Sequence, residues 1–203
     1  AIETADYCDE LVDNGKGGTE KRYTLNIVVD VKMDPKEIIK IIAQTCNMSI
    51  LYANGKVVFK ADKPRVPVMS INMYNIINRS FAIRKTSCSN SKINRILVQY
   101  QDKDNNYERE FAPKDDDVEQ LIRGIVDRSI NGYGTTRRSQ ALRQAQLFMN
   151  ANKTLTTVCS FKIGLNLLFA EVMDNVYISH DITGWINEEF TILEVEEEED
   201  ELI

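Results

Sequence analysis

The sequence predicts an α+β fold, a small strand-helix-hairpin domain followed by a β-rich domain that carries one helix. Three observations predict it. Between Tyr23 and Ala61 a β-branched run, a capped amphipathic helix and two short apolar runs around Asn54-Gly55 follow one another. Beyond residue 92, short stretches of alternating polar and apolar residues recur between turn-forming residues, as half-buried strands do. After Asn131-Gly-Tyr-Gly134 a single longer stretch has helical spacing.

Taken in order, Ile2, Ala5, Cys8, Leu11 and Val12 lie at helical spacing, which predicts a short helix before the Asn14-Gly-Lys-Gly-Gly18 connector. The glycines of that connector invite comparison with a phosphate-binding loop. The lysine-plus-Ser/Thr ending is missing, and the loop precedes a strand where such a loop should follow one. Tyr23 to Asp30 has the β-branched composition of a strand. Asp34-Pro-Lys-Glu37 then supplies an N-cap, a proline at the first helical position and a carboxylate at the third, the signature of a capping box. Ile38, Ile39, Ile41, Ile42 and Cys46 form one apolar face of the helix that follows. Ile50–Ala53 and Lys56–Phe59 flank Asn54-Gly55, the pair best suited to a two-residue hairpin turn.

Gly18-Thr-Glu-Lys-Arg-Tyr-Thr-Leu-Asn26, the capped helix and Ile50-Leu-Tyr-Ala-Asn-Gly-Lys-Val-Val-Phe-Lys60 together resemble the central tail-tip proteins of long-tailed bacteriophages, the host-attachment or baseplate-hub family. Lys63-Pro64 and Val66-Pro67 next break regular structure, and a strand is predicted from Ser80 to Lys85. The polar run Ser87–Lys92 marks the expected boundary between domains 1–87 and 88–203.

In the second domain Arg95, Leu97 and Gln99 alternate with Ile96, Val98 and Tyr100, and Tyr107–Pro113 reads as the hairpin partner of that strand. The run Val118–Asp127 fits helix or strand equally. Thr135 or Thr136 can cap a helix running to Asn150, with Ala141, Leu142, Ala145, Phe148 and Met149 on one face. Thr154–Ile163, Val176–Ser179 and Phe190–Val195 supply three further strands, the last two separated by a turn at Ile182-Thr-Gly-Trp185. The strand pair at 94–113, Thr136 with Gln140-Ala141 and Arg143, and the Gly-Trp turn are again similar to the tail-tip family. In that family this order of elements builds a barrel-like hub domain around the tail lumen. The similarity departs at Glu171-Val-Met-Asp-Asn175, where family members carry a proline-glycine-aspartate turn.

The net charge of -6 misrepresents the body of the chain. Seven of the 31 acids lie between Glu194 and Glu201; without them 24 acids face 25 bases, which argues against a broad basic footprint for nucleic acid. Cys8, Cys46, Cys88 and Cys159 are far apart in sequence with no C-x-x-C pair, so reduced thiols are expected and no zinc motif is present. No apolar run reaches the roughly 20 residues of a membrane span. A first residue other than methionine and a ragged acidic end suggest a segment cut from a longer protein.

Candidate sites for chemistry each have a plainer structural explanation. Asp102, Asp104 and Asn106 imitate half of a calcium loop, but Tyr107 stands where glycine belongs and Pro113 where the bidentate glutamate belongs. Asp115-Asp116-Asp117 lacks a second group of ligands. Arg137, Arg138 and Arg143 have no stacking aromatics beside them, and the resemblance implies that they belong to the surface or to a subunit contact. His180, next to Asp181, is expected at the surface or in a turn, and no nucleophile motif accompanies it. Trp185 reads as a core plug before a partner anchor.

No catalytic, cofactor-binding or metal-binding residue is therefore expected. The resemblance implies a structural, non-enzymatic component of a phage or prophage tail tip, within a trimeric ring that closes the tail tube and supports host attachment. Its implied partners are copies of itself, distal-tail and tape-measure proteins. It also implies synthesis in the bacterial cytoplasm and residence in the virion. The alternatives are a tail-associated, cell-wall-degrading hydrolase and, further off, a nucleic-acid-binding module.

Overall fold

The computed structural model describes residues 2–29, 32, 34–53, 56–85, 93–164, 170–198 and 201–202. In chain order the elements are α1 (Ile2–Asp9), β1 (Leu11–Asp13), β2 (Thr19–Lys21), α2 (Pro35–Thr45), β3 (Met48–Ala53), β4 (Lys56–Ala61), β5 (Met69–Ile71) and β6 (Ala82–Lys85). They continue with β7 (Arg95–Asp102), β8 (Glu108–Asp115), α3 (Asp117–Arg123), β9 (Asp127–Asn131), α4 (Arg138–Thr154), β10 (Thr157–Ser160) and β11 (Ile163–Gly164). The last are β12 (Asn175–His180), β13 (Trp185–Thr191), β14 (Glu197–Glu198) and β15 (Glu201–Leu202). The fold is α+β. Its described strands form sheets of two or three strands and close no barrel, so the barrel-like form implied by the resemblance is not seen, and α3 adds a second helix beyond residue 88.

The chain packs as two compact units, Ala1–Ala61 with Ser87–Thr156 and Asp62–Thr86 with Thr157–Ile203. One of the three crossings between them, Thr86 to Ser87, falls beside the boundary expected at 87/88.

The first unit is built on the sheet β8-β7-β9, in which β8 runs antiparallel and β9 parallel to β7. The alternation expected along β7 holds: Ile96, Val98 and Tyr100 are buried, while Arg95, Leu97 and Gln99 are only half-buried. The buried side chains meet Ala112 of β8 and Ala141, Ala145 and Met149 of α4, forming the core of this unit. The small alanines let α4 lie close on the sheet. Phe148, expected on the same face, is exposed.

Neither Thr135 nor Thr136 caps α4. The N-cap is Arg137, with no side-chain cap, and both threonines are buried in other hydrogen bonds. α4 instead places two fully or nearly buried glutamines, Gln140 and Gln144, one turn apart on its inner side. The carboxamide of Gln140 meets the backbone of Thr24 as a neighbouring strand would: its Oε1 accepts from the Thr24 N–H at 3.1 Å and its Nε2 donates to the Thr24 carbonyl at 3.0 Å. Gln144 Nε2 donates to the carbonyl of Thr45 at 2.8 Å, which ties down the end of α2.

This corrects the reading of 23–30 as a strand. Residues 23–29 are extended but join no sheet; their polar groups go to Gln140, to the Gly134 carbonyl (2.9 Å from Asn26 N) and to Thr136 Oγ1 (2.9 Å from Asn26 Nδ2). They form a strap across the turn before α4. Gly134 has φ of 68°, and a Cβ there would fall within 2.5 Å of Ile27 Cγ2 and closer still to Leu25 Cδ1. Glycine is thus required both by conformation and by the close passage of the strap.

The other expectations for this unit fare variously. Asp34 caps α2 through the Lys36 N–H at 2.9 Å, and Pro35 opens the helix as predicted. β3 and β4 pair antiparallel in the expected hairpin, whose Asn54-Gly55 turn lies outside the described residues. Leu11 and Val12 leave α1 and form β1, which pairs with β2 across the Asn14–Gly18 loop. That hairpin is clasped to α4 by Glu20, whose carboxylate meets Arg143 at 2.7 Å, Arg137 at 3.0 Å and the Ser139 hydroxyl at 2.6 Å.

In the second unit β12 lies between β5, parallel to it, and β13, antiparallel to it. Ile71, Val176 and Ile178 form its core, with Met69, Cys159, Phe161, Trp185 and Phe190 packed around them. The strand expected over 154–163 divides into β10, paired with β6, and β11; between them Lys162 donates its N–H to the Ser80 hydroxyl and its carbonyl accepts from the Ile77 N–H. The strand expected at 190–195 begins earlier, at Trp185.

Two outcomes test this packing. Replacing Gln140 by Leu strands the Thr24 N–H and carbonyl in the interior, and unsatisfied buried groups cost about 1–3 kcal/mol each; urea unfolding should show a loss of about 3 kcal/mol or more, whereas a loss below about 1 kcal/mol contradicts the clamp. Burial alone would raise the Glu20 pKa, but the Ser139 and Arg143 hydrogen bonds and the charge of Arg137 outweigh it and hold the carboxyl below its usual range. A carboxylate lowered on folding contributes stability above its unfolded pKa and loses it as pH falls through the folded value. Stability should therefore decline from about pH 5 downwards, and Glu20→Gln should flatten that decline in urea titrations repeated at several pH values.

Candidate subunit interface

The feature that sets this surface apart is α3. Asp116 caps it through the Glu119 N–H, Gly124 ends it, and none of its residues is buried. Its polar side is nevertheless tied down. Buried Asn94 gives its Nδ2 to the Gly124 carbonyl at 2.7 Å and takes the Val126 N–H on its Oδ1 at 2.7 Å. Asp115 accepts from Arg95 Nε at 2.5 Å and from Gln120 Nε2 at 2.6 Å, and Asp116 pairs with Lys153 of α4. The hydrogen bonds from Arg95 and Gln120 hold the Asp115 carboxyl below the usual carboxylate range.

Held from that side, α3 turns its apolar residues outward. Val118, Leu121 and Ile122 lie at steps of three and four and are 67, 89 and 72% exposed, and Ile125, just past the helix, is 58% exposed. An apolar stripe at helical spacing normally faces a core. Contiguous exposed apolar surface, rimmed by polar groups, marks an interaction site. The outer face of the β8-β7-β9 sheet adds Leu97 and the exposed Phe111. In the second unit, by itself, Ile182 in the β12–β13 turn and Ile186 at the start of β13 are exposed.

A cleft of about 690 Å³ lies in the first unit between the strap, α2 and the turn before α4. Ile27, Val28, Val29, Ile38 and Ile41 supply its apolar lining, with Tyr107 and Tyr133. Among the described residues no Asp, Glu, His, Lys or Arg lines it.

The residues singled out for chemistry are engaged elsewhere. Asn14 Oδ1 accepts from the N–H groups of Lys16 and Gly18, so the glycine loop is an Asx-stabilised hairpin. Asp102 takes the Asp104 N–H at 3.0 Å within the β7–β8 turn, and Asn105 bonds Glu110. Among the described residues no group of three or more His, Cys, Asp or Glu is placed to hold a metal. Arg137 and Arg143 turn inward onto Glu20 and the carbonyls of Lys21 and Arg22, and Arg138 is exposed.

His180 is a correction. It is 5% exposed, not at the surface, and stacks on Phe81 with ring centroids 3.9 Å apart, while Asp181 is exposed. Its Nδ1 is buried without a hydrogen-bond partner. Trp185 packs in the second core against Phe81 and Phe190, as the plug reading expects. The residues that sequence reasoning missed are Gln140, Gln144 and the α3 stripe. Only the stripe left a signal, the spacing Val118-x-x-Leu121-Ile122-x-x-Ile125.

Comparison with known proteins agrees with this surface-bearing scaffold. The tip attachment protein J of Escherichia phage SECphi27 is 29% identical over 177 residues, covering 87% of this chain and 15% of the relative. That of Escherichia phage SECphi4 is 27% identical over 169 residues, covering 82% of this chain and again 15% of the relative. The chain thus spans about 15% of the length of these curated relatives. Among solved structures, the virion of a native gene transfer agent particle aligns with TM-score 0.67 at 11% identity, over 84% of this chain and 39% of the other. The 43 kDa tail protein of prophage MuSo2 from Shewanella oneidensis aligns with TM-score 0.55 at 13% identity, over 87% and 53%. At such identities the structures speak for the fold alone. The family described as putative phage tail protein matches residues 34–195, and the chain belongs to that family, a structural component of phage tails.

Proposed function

We propose that this chain is the segment of a tail-tip protein that contributes to the ring closing the tail tube and supporting host attachment, and that the α3 stripe is where one subunit meets the next. The observation that carries the second part is a helix fastened by Asn94, Asp115 and Asp116 on one side, with Val118, Leu121 and Ile122 exposed on it and Ile125 exposed just past its end. The first part is supported by family membership over 34–195 and by relatives named tip attachment protein. In this reading the full-length protein forms a trimer, a closed ring in which the same patch recurs around the axis. It is made in the bacterial cytoplasm, resides at the virion tail tip, and meets distal-tail and tape-measure proteins. Segments 1–87 and 88–203 would be its two modules here, although each packing unit draws on both. The work is done by shape and breaks no bond.

The hydrolase alternative asks for carboxylates or a histidine converging in a cleft. The cleft beside the strap is lined by apolar and neutral polar residues instead, and His180 is packed under Phe81.

Full burial of a Leu or Ile side chain contributes about 2 kcal/mol, so losing two from an interface weakens assembly by more than tenfold. In the full-length protein, Leu121→Glu with Ile122→Ser should leave the thermal midpoint of the subunit within a few degrees of the parent, because both side chains are exposed. It should abolish ring formation in sedimentation and reduce infectious titre at least tenfold. Wild-type titre and wild-type sedimentation would assign the contact to another face.

A further inference from the structure

Three Asn-Gly pairs occur in the chain, at 14–15, 54–55 and 131–132. In such a pair the glycine nitrogen can attack the asparagine side-chain carbon within the same chain segment, closing a five-membered ring, and no side chain on the glycine obstructs it. The pair at 54–55 lies outside the described residues. The other two sit in opposite surroundings.

At Asn14 the β1–β2 loop supplies the groups that the attack needs. The Gly15 N–H donates to Asp13 Oδ1 at 2.7 Å, so a carboxylate stands where the proton of the nucleophile must leave. Asn14 Oδ1 accepts from the Lys16 N–H at 2.8 Å and from the Gly18 N–H at 3.1 Å. That oxygen gains negative charge when the carboxamide is attacked, and two backbone donors already point at it, as in an oxyanion hole. The Gly15 proton lies in its peptide plane while the reacting electrons of the nitrogen stand above and below it, so the bond to Asp13 leaves the attacking face open. Gly18 allows the carboxamide to seat, since a Cβ there would lie 3.0 Å from Asn14 Nδ2. The loop is braced from both ends: the Asn14 N–H donates to the Gly18 carbonyl at 3.0 Å, and Arg143 Nη1 donates to the Asp13 carbonyl at 3.4 Å. Asn14 is half-buried and the residues after it are exposed, so water reaches the site.

Asn131-Gly132 is the contrast. Its glycine N–H donates to the Gln99 carbonyl at 2.8 Å, an acceptor that removes no proton, and Asn131 is held in β9 against β7.

We propose that Asn14 is a self-modifying site, converted to isoaspartate and aspartate by the groups of its own loop. Asp13 takes the Gly15 proton as the nitrogen bonds to Asn14 Cγ. The Cγ–Nδ2 bond then breaks, and the departing nitrogen takes the proton from Asp13 and leaves as ammonia. Water opens the resulting succinimide at either carbonyl, giving isoaspartate or aspartate and adding one negative charge. No oxidant, reductant or outside substrate takes part. In the isoaspartate product the backbone gains one carbon between residues 14 and 15, which disturbs the Asp13–Thr19 register of the hairpin that Glu20 clasps to α4. The modification is one-way and timed from folding. It is a property of the loop alone and stands whether or not the tail-tip reading holds.

The test incubates the whole 203-residue chain at neutral pH, both folded and unfolded in guanidinium chloride, and follows each Asn-Gly pair by mass-spectrometric peptide mapping with separation of the isoaspartyl peptides. Unfolding removes the loop contacts and leaves only the tendency of the local sequence. Asn14 should convert at least about threefold faster in the folded chain than in the unfolded one, a small fraction of what an enzyme's oxyanion hole contributes. Asn131 should convert more slowly folded than unfolded. Asp13→Asn keeps an acceptor for the Gly15 N–H but removes the base; it should bring Asn14 to the unfolded rate or below while leaving the thermal midpoint within a few degrees, because Asp13 is exposed. A smaller acceleration of Asn14 on folding, or an Asp13→Asn chain that reacts at the wild-type rate, overturns the proposal.

Discussion

The carboxamide of Gln140 presents a donor and an acceptor to the backbone of one residue, Thr24, more than a hundred positions away in sequence. An extended segment that enters no sheet must still satisfy its N–H and C=O groups when it is covered. Here a helix side chain takes the part of the missing strand. Because the same helix also holds Thr45 through Gln144, the strap and α2 are fixed by one element that is itself fixed on the β8-β7-β9 sheet by alanine-lined packing. Remove that constraint and α2, the strap and the Gly134 turn lose their common reference.

Fold elements set by local chemistry were legible. The β7 alternation, the Asp34-Pro35 start of α2 and the β3–β4 pairing each follow from neighbouring residues, and each is observed. The strap was misread for a physical reason. Its β-branched residues correctly predict extended backbone, but propensity is silent about which group completes the hydrogen bonds, and that partner lies on α4. The missing cap of α4 has the same origin, since Thr135 and Thr136 are committed to Gln144 and Asn26. His180 was placed outside because a lone polar residue beside Asp181 looks solvated; only the tertiary position of Phe81 buries it. The α3 stripe was written in its spacing, yet its outward direction depends on Asn94 and Lys153 pulling the other side inward.

Solved structures at 11–13% identity share the fold. Polar clusters that could be mistaken for chemistry here join one segment to another: Glu20 with two arginines clasps a hairpin, and the Asp115–Asp116 pair anchors α3. Among the surfaces of the first unit, α3 and the far side of the sheet expose large apolar side chains.

Amide hydrogen exchange followed by NMR tests the central claim most directly, by comparing the Thr24 and Asn26 amides with those inside α4. If α4 holds the strap as a sheet neighbour would, the amides of Thr24 and Asn26 exchange slowly and share the opening free energy of α4. Exchange at these two positions at the rate of an unstructured peptide, while α4 stays protected, would contradict it.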